Sequence, residues 1–543
     1  MSSTGDGKGS KQNRKWWETG VIYQIYPRSF QDSSGNGTGD LAGIITRLDY
    51  LAGVLGVDAL WISPFFPSPM KDFGYDVADY TDVDPRFGSL ATFDQLLDEA
   101  HRRRLRIIID WVPNHTSDQH PWFLDSRSSQ RALHRDWYIW ADAKPDGSPP
   151  NNWVSMFGGP AWDWDEQTGQ YYLHTFLKEQ PDLNWRNPET REAMYETLRF
   201  WLDRGVDGCR IDVAHMIMKD PQLRDNPLRE GYEGPDEYPR FVHRHDQRHL
   251  DMHGVFREIN AVLASYPDDR VAIGEVATDR WDRFVAYYGT DGDGMHLPFN
   301  FDLIFNTPSE ADAVRASIDG YEAALPEAAW PNYVLGNHDQ PRLATRIGRE
   351  QARVAAMLLL TLRGTPTLYY GDELGMVDAD IRPEQQQDPA ARRRGGRGRD
   401  GCRTPMQWDD TRHAGFTAPA TSAPWLPLNV DYRTHNVARQ LADPTSMLSL
   451  YRRLLTLRKT SPALSQGDYE AIDGAPDGCF AYLREEGPQR MIVLLNMTSS
   501  PLRVDLPGIG SGDVAVSTHL DRAGSASLGD LELRADEGVV VAL

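Results

Sequence analysis

The chain has 543 residues, too many for one compact core, so two or three domains are expected. Its 57 Lys plus Arg against 79 Asp plus Glu give a net charge of −22, which argues against a general affinity for nucleic acid or anionic membranes and leaves neutral ligands such as sugars open. Three scattered cysteines, Cys209, Cys402 and Cys479, exclude a disulfide framework and any zinc spacing.

The Ser-, Gly- and Lys-rich start, Met1 to Arg14, lacks the apolar run of a signal peptide and is expected to be a disordered leader. No apolar stretch is long enough to span a membrane, so a soluble cytoplasmic protein is expected. From Trp16 the sequence alternates short β-branched or aromatic runs with helical patterns. Strands are expected at Val21–Tyr26, Ala59–Ser63, Arg106–Val112, Asp207–Asp212, Val271–Val276, Leu297–Leu303, Tyr333–Asn337 and Thr365–Tyr370. Amphipathic segments lie between them, at Leu41–Leu55, Leu90–Arg104, Glu189–Arg204, Asp246–Tyr266, Arg280–Tyr288, Ser309–Leu325 and Gln351–Arg363, with a last one at Thr445–Lys459. Eight such repeats make an α/β fold, a (β/α)8 barrel spanning 15–115 and 186–465.

Two stretches break the rhythm. Residues 116–185, rich in Trp, Asp, Gly and Pro, exceed an ordinary βα loop and are expected to form an inserted domain over the barrel mouth. A long excursion, 372–443, follows the eighth strand and carries the basic run Ala391 to Arg399, which in an acidic chain reads as a solvated surface loop. Residues 466–543 turn all-β, with strands near Cys479–Arg484, Met491–Asn496 and Gly538–Leu543, and are expected to form a C-terminal antiparallel β-sandwich domain.

Polar residues gather at the carboxyl ends of the expected strands, where a parallel barrel keeps its chemistry. Asp110 to His115 ends the third, Arg210 and Asp212 the fourth, Glu275 the fifth, and Asn337-His338-Asp339 the seventh. Arg210 lies two residues before Asp212, so alternation along a strand puts both on one face, where a guanidinium can hold a carboxylate ionised. Three acids and two histidines on one rim would be costly to bury without a ligand. Three carboxylates without a Cys–His set fit glycosidic bond cleavage, which needs a nucleophile or base and a protonated acid. Ionised Asp212 and Asp339 would keep Glu275 protonated as that acid.

These motifs resemble the α-amylase family of glycoside hydrolases over nearly the whole chain from Trp16. The resemblance implies Asp212 as nucleophile, Glu275 as acid/base and Asp339 as transition-state stabiliser, with His115 and His338 as glucose-binding histidines and Arg210 beside the nucleophile. Gln180-Pro181-Asp182-Leu183-Asn184, Gly74-Tyr75-Asp76 and Arg403-Thr404-Pro405-Met406-Gln407-Trp408 resemble the α-glucosidase and oligo-1,6-glucosidase branch. By that likeness Asp76 and Arg403 would close the pocket on the 4-hydroxyl of a terminal glucose. Tyr75, Phe157, Phe176 and Gln180 would line it, the two Phe on the aglycone side. The implied activity is a retaining, exo-acting α-glucosidase that takes terminal α-linked glucose from short maltose- or isomaltose-type substrates and can transglucosylate. No catalytic cofactor, no nucleic acid and no membrane partner is implied, and the chain would act as a monomer or homodimer.

Val213 after the nucleophile resembles members that cleave α-1,6 bonds, whereas Ala214-His215 departs from that branch; a His near the acceptor site would favour another linkage or a non-sugar acceptor. The alternatives are an α-glucosyltransferase or a sucrose or maltose isomerase, although Gln340 to Arg346 lacks the arginine-aspartate pattern of sucrose isomerases. Non-catalytic transporter-associated subunits share the resemblance but need a membrane helix and lack the catalytic acids. The loop Asp32 to Asp40 offers Asp32, Ser34, Asn36, Thr38 and Asp40 to a hard cation. With Ser34 and Asn36 at its middle positions it carries less charge than similar loops, so Ca2+ or Mg2+ would bind weakly or not at all, and only structurally.

Overall fold

A computed structural model of the chain describes residues 14–278, 280–305, 310–394, 398–417, 422–506 and 508–543, the side chains of 392–394 excepted. Eight short strands, β1 (Ile22–Ile25), β2 (Ala59–Ile62), β3 (Arg106–Trp111), β4 (Gly208–Ile211), β5 (Val271–Val276), β6 (Leu297–Asn300), β7 (Asn332–Val334) and β8 (Thr365–Tyr369), form one sheet. All its pairings are parallel, with Ile22 opposite Ala59 and Thr367, Ile108 opposite Gly208 and Asn332 opposite Thr365. β6 packs beside β7 without a ladder among the described residues, so the barrel is closed but for one seam.

The strands are apolar on both faces because each faces two layers. Ile22, Trp61, Ile108, Ile273, Phe299 and Val334 fill the barrel interior, while Tyr23, Leu60, Ile107, Ile109 and Leu368 pack outward against the helices. The helices start where short polar side chains satisfy their first free N–H groups. Asp40 accepts from Gly43 N ahead of Leu41–Thr46, and Asn187 accepts from Glu189 N ahead of Pro188–Asp203.

Several expected elements are shorter. The segment at 41–55 divides into an α-helix, Leu41–Thr46, and a π-helical turn, Tyr50–Leu55. The sixth strand stops at Asn300 because Asp302–Phe305 turns helical, the Asn300 side chain accepting from Asp302 N. The helix foreseen from Asp246 begins at Met252, after a long irregular stretch. Of the expected leader, 1–13 lie outside the described residues, and Arg14 is ordered: its guanidinium lies 4.2 Å from the Trp330 ring.

Between β3 and the helix Pro188–Asp203 the chain makes a three-stranded antiparallel sheet, with Gln170–Leu173 between Trp140–Ala141 and Trp162–Asp165. A bridge between His115 and Asp182 fastens its exit to the end of β3. After the helix Met447–Thr460, a six-stranded antiparallel sheet built on Cys479–Glu486, Gln489–Asn496 and Gly538–Ala542 ends the chain, with the pair Leu502–Val504 and Leu531–Leu533 beside it. Among the described residues no helix is long and apolar enough to cross a membrane.

Candidate active site

The carboxyl ends of the strands open into a cavity of about 1330 Å³ whose walls include Asp212, Glu275 and Asp339. Fully buried Arg210, on β4, ties three of the site's acids together. Its Nη1 donates to Asp110 Oδ1 at 2.8 Å and Asp212 Oδ1 at 2.7 Å, and its Nη2 donates to Glu275 Oε2. Glu275 Oε2 also accepts from Val213 N at 3.2 Å. That bond is made with Val213 at φ 35°, in the left-handed region costly for a β-branched side chain, so the residue after Asp212 is held under strain beside these carboxyls.

Asp339, after β7, accepts from Arg403 Nη2 at 2.8 Å and Arg399 Nη1 at 3.0 Å. Its burial favours the neutral acid, but the guanidiniums of Arg399, Arg403 and Arg210 outweigh that and hold it far below the usual carboxylate range. His338 lies between Tyr26 and Tyr75, its ring parallel to that of Tyr75 at 5.3 Å, and its Nδ1 and Nε2 meet Gln24 Nε2 at 2.8 Å and the Tyr75 hydroxyl at 2.7 Å. Burial keeps it neutral. His115 is likewise neutral, pushed down to about 4 by burial, with Nε2 3.1 Å from the Tyr75 carbonyl and 3.0 Å from Gln180 Nε2.

Arg210, expected beside Asp212, serves Asp110 and Glu275 as well. Asp212 is pushed well up by burial; Arg210 opposes this, but Glu275 and Asp110 add to it. Burial also raises Asp110, to about 6, against Arg210. Six carboxyls, those of Asp72, Asp110, Asp212, Glu275, Asp339 and Asp388, meet three guanidiniums, Arg210, Arg399 and Arg403. The carboxyls of this cluster repel one another, which adds to burial in raising Asp110 and Asp212.

The pocket wall is corrected. Asp76 has no exposed surface, and its oxygens accept from Ser68 Oγ, Lys71 N and Asp72 N at 2.8–3.0 Å, so it closes the turn before Tyr75 and does not reach the cavity. Gly74, at φ 112°, supplies the left-handed step that turn requires. Asp72 lines the cavity instead, 2.9 Å from Arg399 Nη2 and 3.3 Å from Gln180 Nε2. Arg403 lies behind, its Nε on the His338 carbonyl at 2.7 Å. Arg399 therefore does not belong to a solvated loop: it also binds Asp388 at 2.9 Å, and burial does not strip its charge because Asp72, Asp339 and Asp388 surround it. Residues 395–397 of that run lie outside the described residues.

Phe157 and Phe176 meet edge to face at 5.7 Å and form an apolar patch with Val213 and Met216 on the cavity wall. His215 lines the same wall, with Nδ1 3.2 Å from the Glu275 carbonyl, and burial pushes it down to about 3. Asp182, in the segment that resembled the α-glucosidase branch, accepts from Lys219 Nζ at 3.0 Å, which fastens the inserted sheet to the stretch after β4. Residues 219–251 of that stretch supply Arg229, Tyr238, His243, Gln247 and Arg248 to the cavity, none of them singled out from sequence. The one sequence sign was the long gap between Asp212 and the next amphipathic segment.

In the Asp32–Asp40 loop the oxygens expected to face a cation already accept hydrogen bonds. The Asp32 carboxylate accepts from Ser34 N, Gly35 N, Gly37 N and the Thr417 hydroxyl. Although burial raises it, these donors hold it below its ordinary value. Asn36 Oδ1 accepts from Thr38 N, and Asp40 caps a helix through Gly43 N. These donors compete with a cation for the same oxygens.

The family described as alpha amylase, catalytic domain, matches residues 24–467. The chain is 43% identical over 511 residues to a probable alpha-glucosidase of Rhizobium meliloti (strain 1021), covering 91% of this chain and 92% of that protein. It is 39% identical over 537 residues to an oligo-1,6-glucosidase of Heyndrickxia coagulans, covering 91% and 94%. Among solved structures, the alpha-glucosyl transfer enzyme XgtA superposes with a TM-score of 0.92 at 41% identity, covering 98% of this chain and 100% of that one.

Proposed function

Since the chain belongs to the α-amylase family of glycoside hydrolases, we propose that it is a retaining, exo-acting α-glucosidase of short α-linked glucosides. The observation that carries this is Arg210 bridging Asp212 and Glu275. Two carboxyls on one guanidinium are near enough for the ~5–5.5 Å separation of double displacement, which leaves no room for a water between acid and nucleophile. Asp212 attacks C1 of the glucosyl unit, Glu275 protonates the departing oxygen, and a water deprotonated by Glu275 then releases α-glucose. Asp339, ionised, opposes the positive charge that develops on the ring. Asp72 and Arg399 form the wall that stops a longer chain from threading past.

A second reading, transfer of the glucosyl unit to an acceptor hydroxyl, is favoured by the likeness to the glucosyl transfer enzyme and by a cavity that extends well beyond the acidic cluster. It shares the same covalent intermediate. Brief exposure to 5-fluoro-α-glucosyl fluoride, followed by digestion and mass spectrometry, tests both readings: the label should lie on the peptide containing Asp212. An unlabelled Asp212 peptide in an inactivated enzyme would overturn the assignment.

A further inference from the structure

The guanidiniums that line or back the cavity differ in how they are engaged. Within the acidic cluster every guanidinium is claimed by carboxylates, as set out above. Arg229 and Arg248 also line the cavity, and neither belongs to an ion pair among the described residues. Arg229 gives only its Nε, to the Pro239 carbonyl at 3.0 Å. Arg248 is held by its backbone: its N–H donates to the His215 carbonyl at 2.7 Å while the residue sits at φ 57°, uncommon for a side chain of this kind.

The stretch that carries them is fixed by its own contacts. Tyr238 stacks on His243 at 3.8 Å, Gln247 Nε2 donates to the Tyr238 hydroxyl at 2.9 Å, and His243 spends both ring nitrogens, on Asp246 Oδ2 at 2.7 Å and the Tyr238 carbonyl at 2.8 Å. The neighbouring acids Asp236 and Glu237 face a separate small cavity with Phe157, Gly158 and Gly159. Asp302, Asp378 and Asp380 also line the cavity, and the first two are engaged by the Ser317 hydroxyl and by Arg342 N. After burial, the Arg248 charge helps to keep His215 neutral, and both residues line the cavity with Glu275.

We propose that Arg229 and Arg248 form a recognition site for an anionic group, a carboxylate or a phosphate, on the aglycone of the substrate or on the acceptor. Guanidinium forks match both groups in geometry. The arrangement also orients the ligand, because a negative charge is repelled by the carboxyl-rich cluster and attracted by the two guanidiniums. Specificity of this kind rests on the α-glucosidase reading of the site.

The test compares matched substrates: 4-(α-glucosyloxy)benzoate against its methyl ester, and maltose phosphorylated on its reducing-end glucose against maltose. The anionic member of at least one pair should have the higher kcat/KM, by roughly tenfold at low ionic strength, with the advantage shrinking in molar salt. The favoured pair identifies which anion the site takes. Arg229→Gln with Arg248→Gln should bring the ratio close to one, whereas Arg248→Lys should keep a preference for the anion. Equal or lower kcat/KM for both anionic members in the unaltered enzyme overturns the proposal. No turnover of any substrate overturns the glucosidase reading instead, and titration calorimetry with 4-hydroxybenzoate against its methyl ester then decides the anion site: tighter binding of the ester or of neither overturns it.

Discussion

Asp72 and Arg399, 327 residues apart in the chain, meet at 2.9 Å, and Arg399 reaches Asp339 with its other amino group at 3.0 Å. The wall of the glucosyl pocket is thus coupled directly to the acid assigned to stabilise the transition state.

This separates the roles of two neighbouring acids. Asp72→Ala should lower kcat/KM on maltose by roughly 10- to 100-fold and raise the relative rate on long maltooligosaccharides. Asp76→Ala should leave that preference between short and long substrates in place and lower stability by about 1–3 kcal/mol, because three donors, two of them in buried bonds, lose their acceptor. Steady-state kinetics and urea unfolding of both variants check this. The opposite pattern would return Asp76 to the pocket.

Asp110 touches no substrate in this account, yet its charge reaches the nucleophile. After burial and Glu275, it is among the groups that push Asp212 up. Neutralising it in Asp110→Asn removes an upward influence, so the acidic limb of the kcat/KM profile should move to lower pH. A limb that stays fixed or moves up would show that Asp212 does not control it.

Glu373 is buried behind the barrel, where it accepts from the Tyr23 and Tyr50 hydroxyls at 2.8 and 2.9 Å. Burial raises it from 4.5 to about 7 despite these donors. The folded protein therefore holds this proton more tightly than the unfolded chain does. The stability it contributes is complete below about pH 4.5 and is lost as pH rises through about 7. Urea midpoints of the unaltered protein, measured relative to Glu373→Gln, should fall across this window; a rise would contradict the direction of the shift.

Because the Asp32–Asp40 loop is closed by its own donors, the melting temperature should be insensitive to EDTA and to millimolar Ca2+ or Mg2+. Asp32→Ala should destabilise the fold by about 3 kcal/mol, as several backbone and hydroxyl donors lose one shared acceptor. A melting temperature that climbs steeply with Ca2+ would show that a cation competes successfully with those donors.

The barrel was legible because its strands are apolar on both faces and its helices amphipathic, so composition alone separated them; Val271–Val276 matches its expected bounds. Chain ends of elements were less so, since Asn300 stops β6 by accepting from Asp302 N, a local competition that periodicity does not register. The carboxyl-end acids were legible because a parallel barrel places such residues on one rim. The wall was not: Asp72 and Asp76 flank the same Gly74-Tyr75 pair, and only the folded turn shows which of them the backbone consumes. Arg399 was hidden in a basic run whose composition suggested solvent, and its partners lie far away in the chain. The same holds for Arg229 and Arg248, in a stretch with neither strand nor helix period.

The central claim is tested most directly by proton NMR of the glucose released from maltose in the first minutes of reaction, before mutarotation. The account predicts the α-anomer first, from maltose and other short substrates, with little released from starch. Initial release of the β-anomer would contradict double displacement through Asp212 and Glu275.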